Sequence, residues 1–479
     1  MNNDSSWQTV AGVVAEEIQA LPAGSRIPTN RQLVERFAVS ATTISRALAV
    51  LKQQGLIESR PGSGSFRAAT PAPPRPVDTR WQEAALGLSP VVGAEPTPVR
   101  EHDANALGAA LGSYGAEVID LNGGYLHPDL QPRDLLAKGL GRIGRRTEAW
   151  ERPEPAGLPE LRDWFATEIG GGLARHDVLV TSGGQAALSL VMRAVTKPGD
   201  PVVVETPTYP GILAAAAAAG LRTVPVPLDA DGIQPAHLDR ALEQTGARLV
   251  VVQPSFQNPT CLSQPDFRQR EVLDLVVRHG AFLIEDDFAR LLTHADVALP
   301  LPPPLIAYDR AGAVVHIKSL TKATSPNLRV AGVAGRGPVM ARLRAAHMID
   351  TMFVPAVLQH TALDIVTSPA WPRALRSLAE ALTSRRTVAV DALGQHLPAG
   401  SLSYVPRGGY HLWIQLPDGF EDHSVATLAL QHGVTVTPGS NYHLTRSPTD
   451  HLRLSYVAAP SAADLAAGIQ RLGEAVRAS

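Results

Sequence analysis

The run Thr70 to Asp78 reads Thr-Pro-Ala-Pro-Pro-Arg-Pro-Val-Asp, and it limits the fold more than any other stretch of the chain. Proline fixes φ and offers no backbone donor, so such a run is stiff, extended and poorly suited to packing. We place a linker over 70–117, with a short helix over Trp81 to Leu88 inside it. A connection of roughly 40 residues argues for two bodies rather than one compact fold. With 479 residues and 44 % hydrophobic content, the chain has enough material for two or three domains.

Charge and cysteine content remove several function classes. The net charge is −2, so no global basic field attracts nucleic acid, and any such contact is local. Residues 1–70 lean slightly basic, with 7 Lys/Arg against 5 Asp/Glu. The chain has 1 cysteine, which excludes an internal disulfide and a cysteine zinc cluster. No apolar run follows a basic N-terminal stretch, and Ile212 to Gly220 is too short to span a bilayer. A cytoplasmic protein with no membrane partner is the expectation.

Residues 1–69 form the first expected unit. Val10, Val13, Val14 and Ile18 recur at helical spacing, and Pro22 and Gly24 end that helix. A second helix follows Pro28 and buries Leu33, Val34 and Phe37. Ser40 caps a third, whose buried face is Ile44, Leu48 and Leu51. Leu56 to Ser59 and Ser65 to Arg67 make a hairpin around Pro61-Gly62-Ser63-Gly64. Opposite the buried face of the third helix lie Thr42, Arg46 and Ala49, flanked by Thr43 and Ser45. Short and basic side chains suit a helix in a major groove of double-stranded DNA, and Arg60 and Arg67 on the hairpin suit phosphate.

From Val118 the pattern is α/β. Val178 to Thr181, Pro201 to Glu205, Leu249 to Val252, Ala281 to Glu285 and Val314 to Ile317 suit buried parallel strands, with helices between them. The large domain is assigned to 118–335. A smaller α+β domain follows over 336–479, with strands at Tyr404 to Pro406, Tyr410 to Gln415, Val434 to Thr437 and Leu452 to Tyr456.

Chemistry concentrates at the ends of these strands. Ser319-Leu320-Thr321-Lys322 is followed by Pro326, Leu328 and Arg329. A lysine amine can form an imine with an aldehyde cofactor, while a hydroxyl and a guanidinium hold phosphate. Asp286 and Asp287 close another strand, where a carboxylate can pair with a protonated pyridine nitrogen; spacing leaves both open. Gly183-Gly184-Gln185 opens a helix whose amides can face a phosphate. Tyr209 can stack on a planar ring, and the Asn258 amide can donate to a phenolate oxygen. Lys318 reads as a structural or solvated strand end, and His127 as a loop residue near the site.

The first unit resembles the winged helix-turn-helix of the GntR superfamily over Leu21 to Phe66. Arg26-Ile27-Pro28-Thr29, Val39-Ser40, Thr43-Ile44 and Gly55-Leu56-Ile57 carry the likeness. From Ile119 onward the chain resembles fold-type I pyridoxal-phosphate aminotransferases. Gly157-Leu158-Pro159-Glu160-Leu161-Arg162 looks like the family's early helix signature. The resemblance implies that Lys322 is the Schiff-base lysine, that Gly183, Gly184, Gln185, Ser319 and Arg329 hold the phosphate, and that Asp286 meets the ring nitrogen. Tyr209 and Asn258 fall at its ring-stacking and phenolate positions, and Arg453 at the residue that takes a substrate carboxylate. Both halves together resemble the MocR subgroup of GntR regulators. That likeness implies a homodimer responsive to pyridoxal 5'-phosphate, with an internal aldimine at Lys322 and an amino acid or amine sensed by transimination. A catalytically active aminotransferase and a cofactor-free dimerisation scaffold are the competing readings. Three positions depart from the subgroup: Phe288 stands where Tyr is usual, and Cys261 and Asn327 where Gly is usual.

Overall fold

The computed structural model describes residues 6–60, 63–68, 104–109, 111–112, 114–115, 117–297, 300–445, 447 and 449–479. The Thr70–Asp78 run, the Trp81–Leu88 helix and the Pro61-Gly62 hairpin tip lie outside these residues. The chain divides into two compact units that part between Val99 and Arg100.

In the first unit α1 (Ser6–Gln19), α2 (Asn30–Phe37) and α3 (Ala41–Gln53) precede the antiparallel hairpin β1 (Ile57–Arg60) and β2 (Gly64–Arg67). Thr29 and Gln32 form a capping box that satisfies orphan amides at the start of α2, worth about 1 kcal/mol. Ser40 accepts from the Thr43 amide and starts α3. Val10, Val14, Ile18, Leu33, Ile44, Ala47 and Leu51 build the core. Two expectations shift by one helical position. Val13 is exposed, and Ala47 is buried while Leu48 lies at the core's edge.

The second unit is built on an eight-stranded sheet among the described residues, ordered β4-β11-β10-β9-β8-β5-β6-β7. These are β4 (Val178–Thr181), β5 (Pro201–Thr206), β6 (Arg222–Asp229), β7 (Gly232–Ile233), β8 (Leu249–Val252), β9 (Phe282–Asp287), β10 (Val314–Ser319) and β11 (Ala331–Ala334). The run from β10 through β9, β8 and β5 to β6 is parallel; β11 is antiparallel to both β10 and β4. The five strands expected in the large domain all form. Three more, β6, β7 and β11, are not legible as strands. β6 contains Pro225 and Pro227, which read as a break. β11 is Ala-Gly-Val-Ala, too small to read as a strand, and its smallness has a cause. A Cβ on Gly332 would lie 2.6 Å from the Phe165 ring, so only glycine lets that ring pack on the strand.

The C-terminal part carries an antiparallel sheet of β12 (His411–Gln415), β15 (His451–Ser455) and β14 (Thr437–Pro438), beside the long helix Trp371–His396 and the helix Ala462–Ala478. Tyr404 to Pro406 is not a strand. Proline lacks a ladder donor, and the Pro406 carbonyl accepts from Arg386 at 3.0 Å. The Val434–Thr437 stretch splits in two. β13 (Val434–Thr435) pairs in parallel with β3 (Ile119–Asp120), while β14 pairs with β15. The first strand of the second unit therefore joins the chain's C-terminal third.

Candidate cofactor site and DNA-reading face

Side chains on β9 alternate between faces, and this separates the two candidate carboxylates. Asp287 is ion-paired to Arg290 at 2.7 Å, with His316 at 3.7 Å. Burial pushes its carboxyl up, but Arg290, Lys318 and His316 outweigh that and hold it below the usual range. Among the described residues no cation is bonded to Asp286. Its Oδ2 accepts from Gln253 Nε2 at 2.7 Å. Burial raises it to about 6, opposed by the Gln253 bond and assisted by the neighbouring Asp287 charge. Lys318, on the Asp287 face, is buried and lies 3.6 Å from Glu168, so it is structural rather than solvated.

Lys322 follows β10 in a tight turn. Its Nζ donates to the Gly124 carbonyl at 2.6 Å and lies 3.8 Å from the Tyr125 ring centre. The Tyr410 hydroxyl donates to the same carbonyl at 2.7 Å. Burial first, then the nearby Arg453 and Arg329 charges, lower the Lys322 amine to about 7, against the pull of Asp286. A neutral amine is the nucleophilic form, so this lysine is primed near neutral pH.

A cup forms beside it. Gly183, at φ 90, caps the helix Gly184–Val195 and leaves its first amides without a side-chain partner. Arg329 Nη2 donates to the Ser182 carbonyl at 2.9 Å, and Ser319 lies against Gly184. Arg329 itself sits at φ 48, a left-handed conformation that costs a non-glycine residue about 1 kcal/mol or more. Of the two positions where Gly is usual, Asn327 is not left-handed, whereas Cys261 is, at φ 56, a conformation that strains a residue with a side chain. Gln185 is committed elsewhere. Its Nε2 donates to the Gly211 carbonyl at 2.8 Å, so only its backbone amide is left to face the cup.

Tyr209 covers Gly211, whose Cβ would come within 2.3 Å of the ring. Asn258 Oδ1 is buried with no partner among the described residues. Arg453 is buried; its Nη2 meets the Asn122 carbonyl and, at 3.1 Å, Thr437 Oγ1, while its Nε has no partner among the described residues. His411 on β12 is buried with both ring nitrogens likewise unpartnered, and burial holds it well below its usual range. His127 instead caps a short turn, accepting from the Asp129 amide at 3.3 Å. Phe288 packs against the main core.

These groups fit pyridoxal phosphate. The helix amides, Ser319 and Arg329 suit its phosphate, Asp286 its ring nitrogen, and unpartnered Asn258 one of its ring substituents. Gly183→Ala tests the cup directly. The added Cβ would sit 2.7 Å from Arg329 Nη2 at a φ that disfavours side chains. We expect cofactor affinity to fall by roughly a hundredfold, about 2.7 kcal/mol, with helical content unchanged, as measured by titration and circular dichroism.

On the first unit, Thr42, Ser45 and Arg46 are exposed together on α3. Arg46 lies over the Trp7 ring at 4.8 Å, and Ser45 Oγ accepts from Asn30 at 3.4 Å. The Thr43 hydroxyl is spent on Ser40 at 2.8 Å. Arg60 pairs with Glu58 and stacks on Phe66, and Arg67 is half-buried on β2. Arg26, not singled out from sequence, lies under the hairpin against Gly64.

Comparisons with known proteins agree with both halves. The profile of aminotransferase class I and II matches residues 125–472, and that of bacterial regulatory proteins, gntR family, matches 8–66. The uncharacterized HTH-type transcriptional regulator YdfD of Bacillus subtilis (strain 168) is 27% identical over 457 residues, covering 94% of this chain and 92% of its own. The 2-aminoadipate transaminase of Thermus thermophilus is 28% identical over 75% of this chain and 90% of its own. The crystal structure of LysN, alpha-aminoadipate aminotransferase from Thermus thermophilus, superposes with TM-score 0.70 at 27% identity, over 78% of this chain and 96% of that one. The chain belongs to the aminotransferase class I and II family, joined to a GntR-type DNA-binding head in the manner of MocR-type transcriptional regulators.

Proposed function

We propose that this regulator holds pyridoxal 5'-phosphate at Lys322 and that the occupied site senses an amino acid or amine. The observation that carries the reading is the convergence of a near-neutral Lys322 amine, the Asp286 carboxyl and the Gly183–Ser319–Arg329 cup within one unit. When bound, the cofactor supplies an aldehyde for an amine to condense with and an electron-withdrawing ring.

The chain's own residues then divide the work. Arg329, Ser319 and the amides of Gly184 and Gln185 bind phosphate, while Gly183 shapes the turn with its own amide held by the Thr181 carbonyl at 2.8 Å. Tyr209 orients the ring, Asn258 fixes one substituent, and Asp286 holds a proton at the ring nitrogen. Gly124 and Tyr410 orient the Lys322 amine. Arg453, already steadied by Asn122 and Thr437, receives a carboxylate through its remaining donors. Thr42, Ser45 and Arg46 face base edges, with the Thr43 hydroxyl held by Ser40 at the helix start, and Arg60 and Arg67 face phosphate. The assembly is a cytoplasmic homodimer. Among the described residues no helix is long and apolar enough to cross a membrane.

A ligand shifts DNA affinity only if it binds one arrangement of the protein better than another. The test is a visible spectrum of purified protein with added pyridoxal phosphate, then borohydride reduction and peptide mapping, beside DNA-binding titrations with and without amines. The expected result is a band, an adduct on Lys322 and an amine-dependent DNA affinity. No band and no adduct would sink the reading. A second reading, true transamination, is favoured by the retained Lys322, Asp286 and Arg453; steady turnover of an amino donor with a keto acid would establish it.

A further inference from the structure

Gln253 immediately follows β8 and is 1 % exposed. Its amide has a fixed orientation. The Asn258 backbone N–H can only donate, and it meets Gln253 Oε1 at 3.1 Å. Nε2 must therefore be the end that faces Asp286, at 2.7 Å. The Gln253 backbone amide donates in turn to Glu205 Oε2 at 3.2 Å, and Glu205 takes further long contacts from Gln257 and Gln264 at 3.4 Å. Glu205 is fully buried with no cation bonded to it among the described residues.

We infer that Gln253 is a positioning residue of the cofactor site, clamping the Asp286 carboxyl and the Asn258 backbone in one amide. The inference rests on the reading of this site as a pyridoxal-phosphate site. The clamp spends Asp286 Oδ2 on a neutral donor and leaves Oδ1 to face the ring nitrogen. It also ties the Asp286 carboxyl to the Asn258 backbone, so that neither turns without the other.

A neutral amide stabilises a carboxylate less than a cation does. Other groups that bear on Asp286 are Asp287 from its own strand, His316 from β10, Lys322 from the following turn, Glu205 from β5 and Tyr209 beyond it. Removing the amide makes Asp286 a stronger base. The proton then sits on Asp286 rather than on the ring nitrogen, and the lysine–cofactor linkage becomes more basic.

The test compares Gln253→Leu and Gln253→Glu with the unaltered full chain, each reconstituted with pyridoxal phosphate. Glutamate can still accept from Asn258 but meets Asp286 with a second carboxyl, and the two must share a proton. We expect the pH midpoint of the visible band to move upward in both variants, by about half a unit or more, and cofactor affinity to fall by roughly tenfold. Helical content and DNA binding should match the unaltered chain, which shows that the variants are folded. An unchanged midpoint in both folded variants would overturn the clamp alone. Absence of any band in the unaltered chain would overturn the cofactor reading, and the clamp with it.

Discussion

Lys322→Ala is expected to abolish covalent capture of pyridoxal phosphate, with no visible band and no borohydride adduct at cofactor levels that saturate the unaltered chain. Affinity should fall at least a hundredfold, on the order of 3 kcal/mol. No nearby amine substitutes. Lys318 lies on the opposite face of the sheet, buried near Glu168. DNA binding in the absence of amines should persist, but its response to amines should vanish. The pH dependence of uptake sharpens the point. Condensation needs the neutral amine, and Lys322 is held at about 7. The uptake rate of the unaltered chain should climb through neutral pH and level off above it, as rapid mixing would show. A rate still climbing toward about pH 10, the range of a free lysine, would contradict the lowered value.

Ile44→Asp should produce the opposite loss. Ile44 is 0 % exposed at the centre of the head's core. An unpaired carboxylate there costs several kcal/mol, comparable with the whole stability of a domain this small. The head should unfold and DNA binding should disappear. The cofactor band should be unchanged, because the aminotransferase-like unit has its own core. Fluorescence anisotropy on labelled DNA, read beside the visible spectrum, checks both halves. A variant that binds DNA normally would show that α3 does not depend on this core.

Much of this molecule is legible from local sequence, for a physical reason. Leu249–Val252 is buried on both faces, so it had to be a continuous apolar run, and Val314–Ile317 departs from one only at His316, which pairs with Glu285 at 2.8 Å. Ser40 and Thr29 mark helix starts because orphan amides need acceptors. The Lys322 turn and the Gly183 turn are local geometry and show as motifs. What stayed hidden depends on distance along the chain. Gly124 meets Lys322 across 198 residues and Tyr410 across 286, and no spacing announces such meetings. Nothing local marks Gln253, because its partners come from β9 and the Asn258 turn. That Asp287 is ion-paired to Arg290 and Asp286 is not is likewise set by the pleat and the packing around it, which spacing does not reveal.

The short pairing of Ile119–Asp120 with Val434–Thr435 has a mechanical meaning. Two residues further on, Asn122 is gripped by Arg453. The stretch where the chain enters its aminotransferase-like unit is thus sewn to the arginine expected to take a ligand's carboxylate. Arg453 and the β3 main chain are thereby fastened to one another at the small sheet and β13, by contacts that do not involve the eight-stranded sheet.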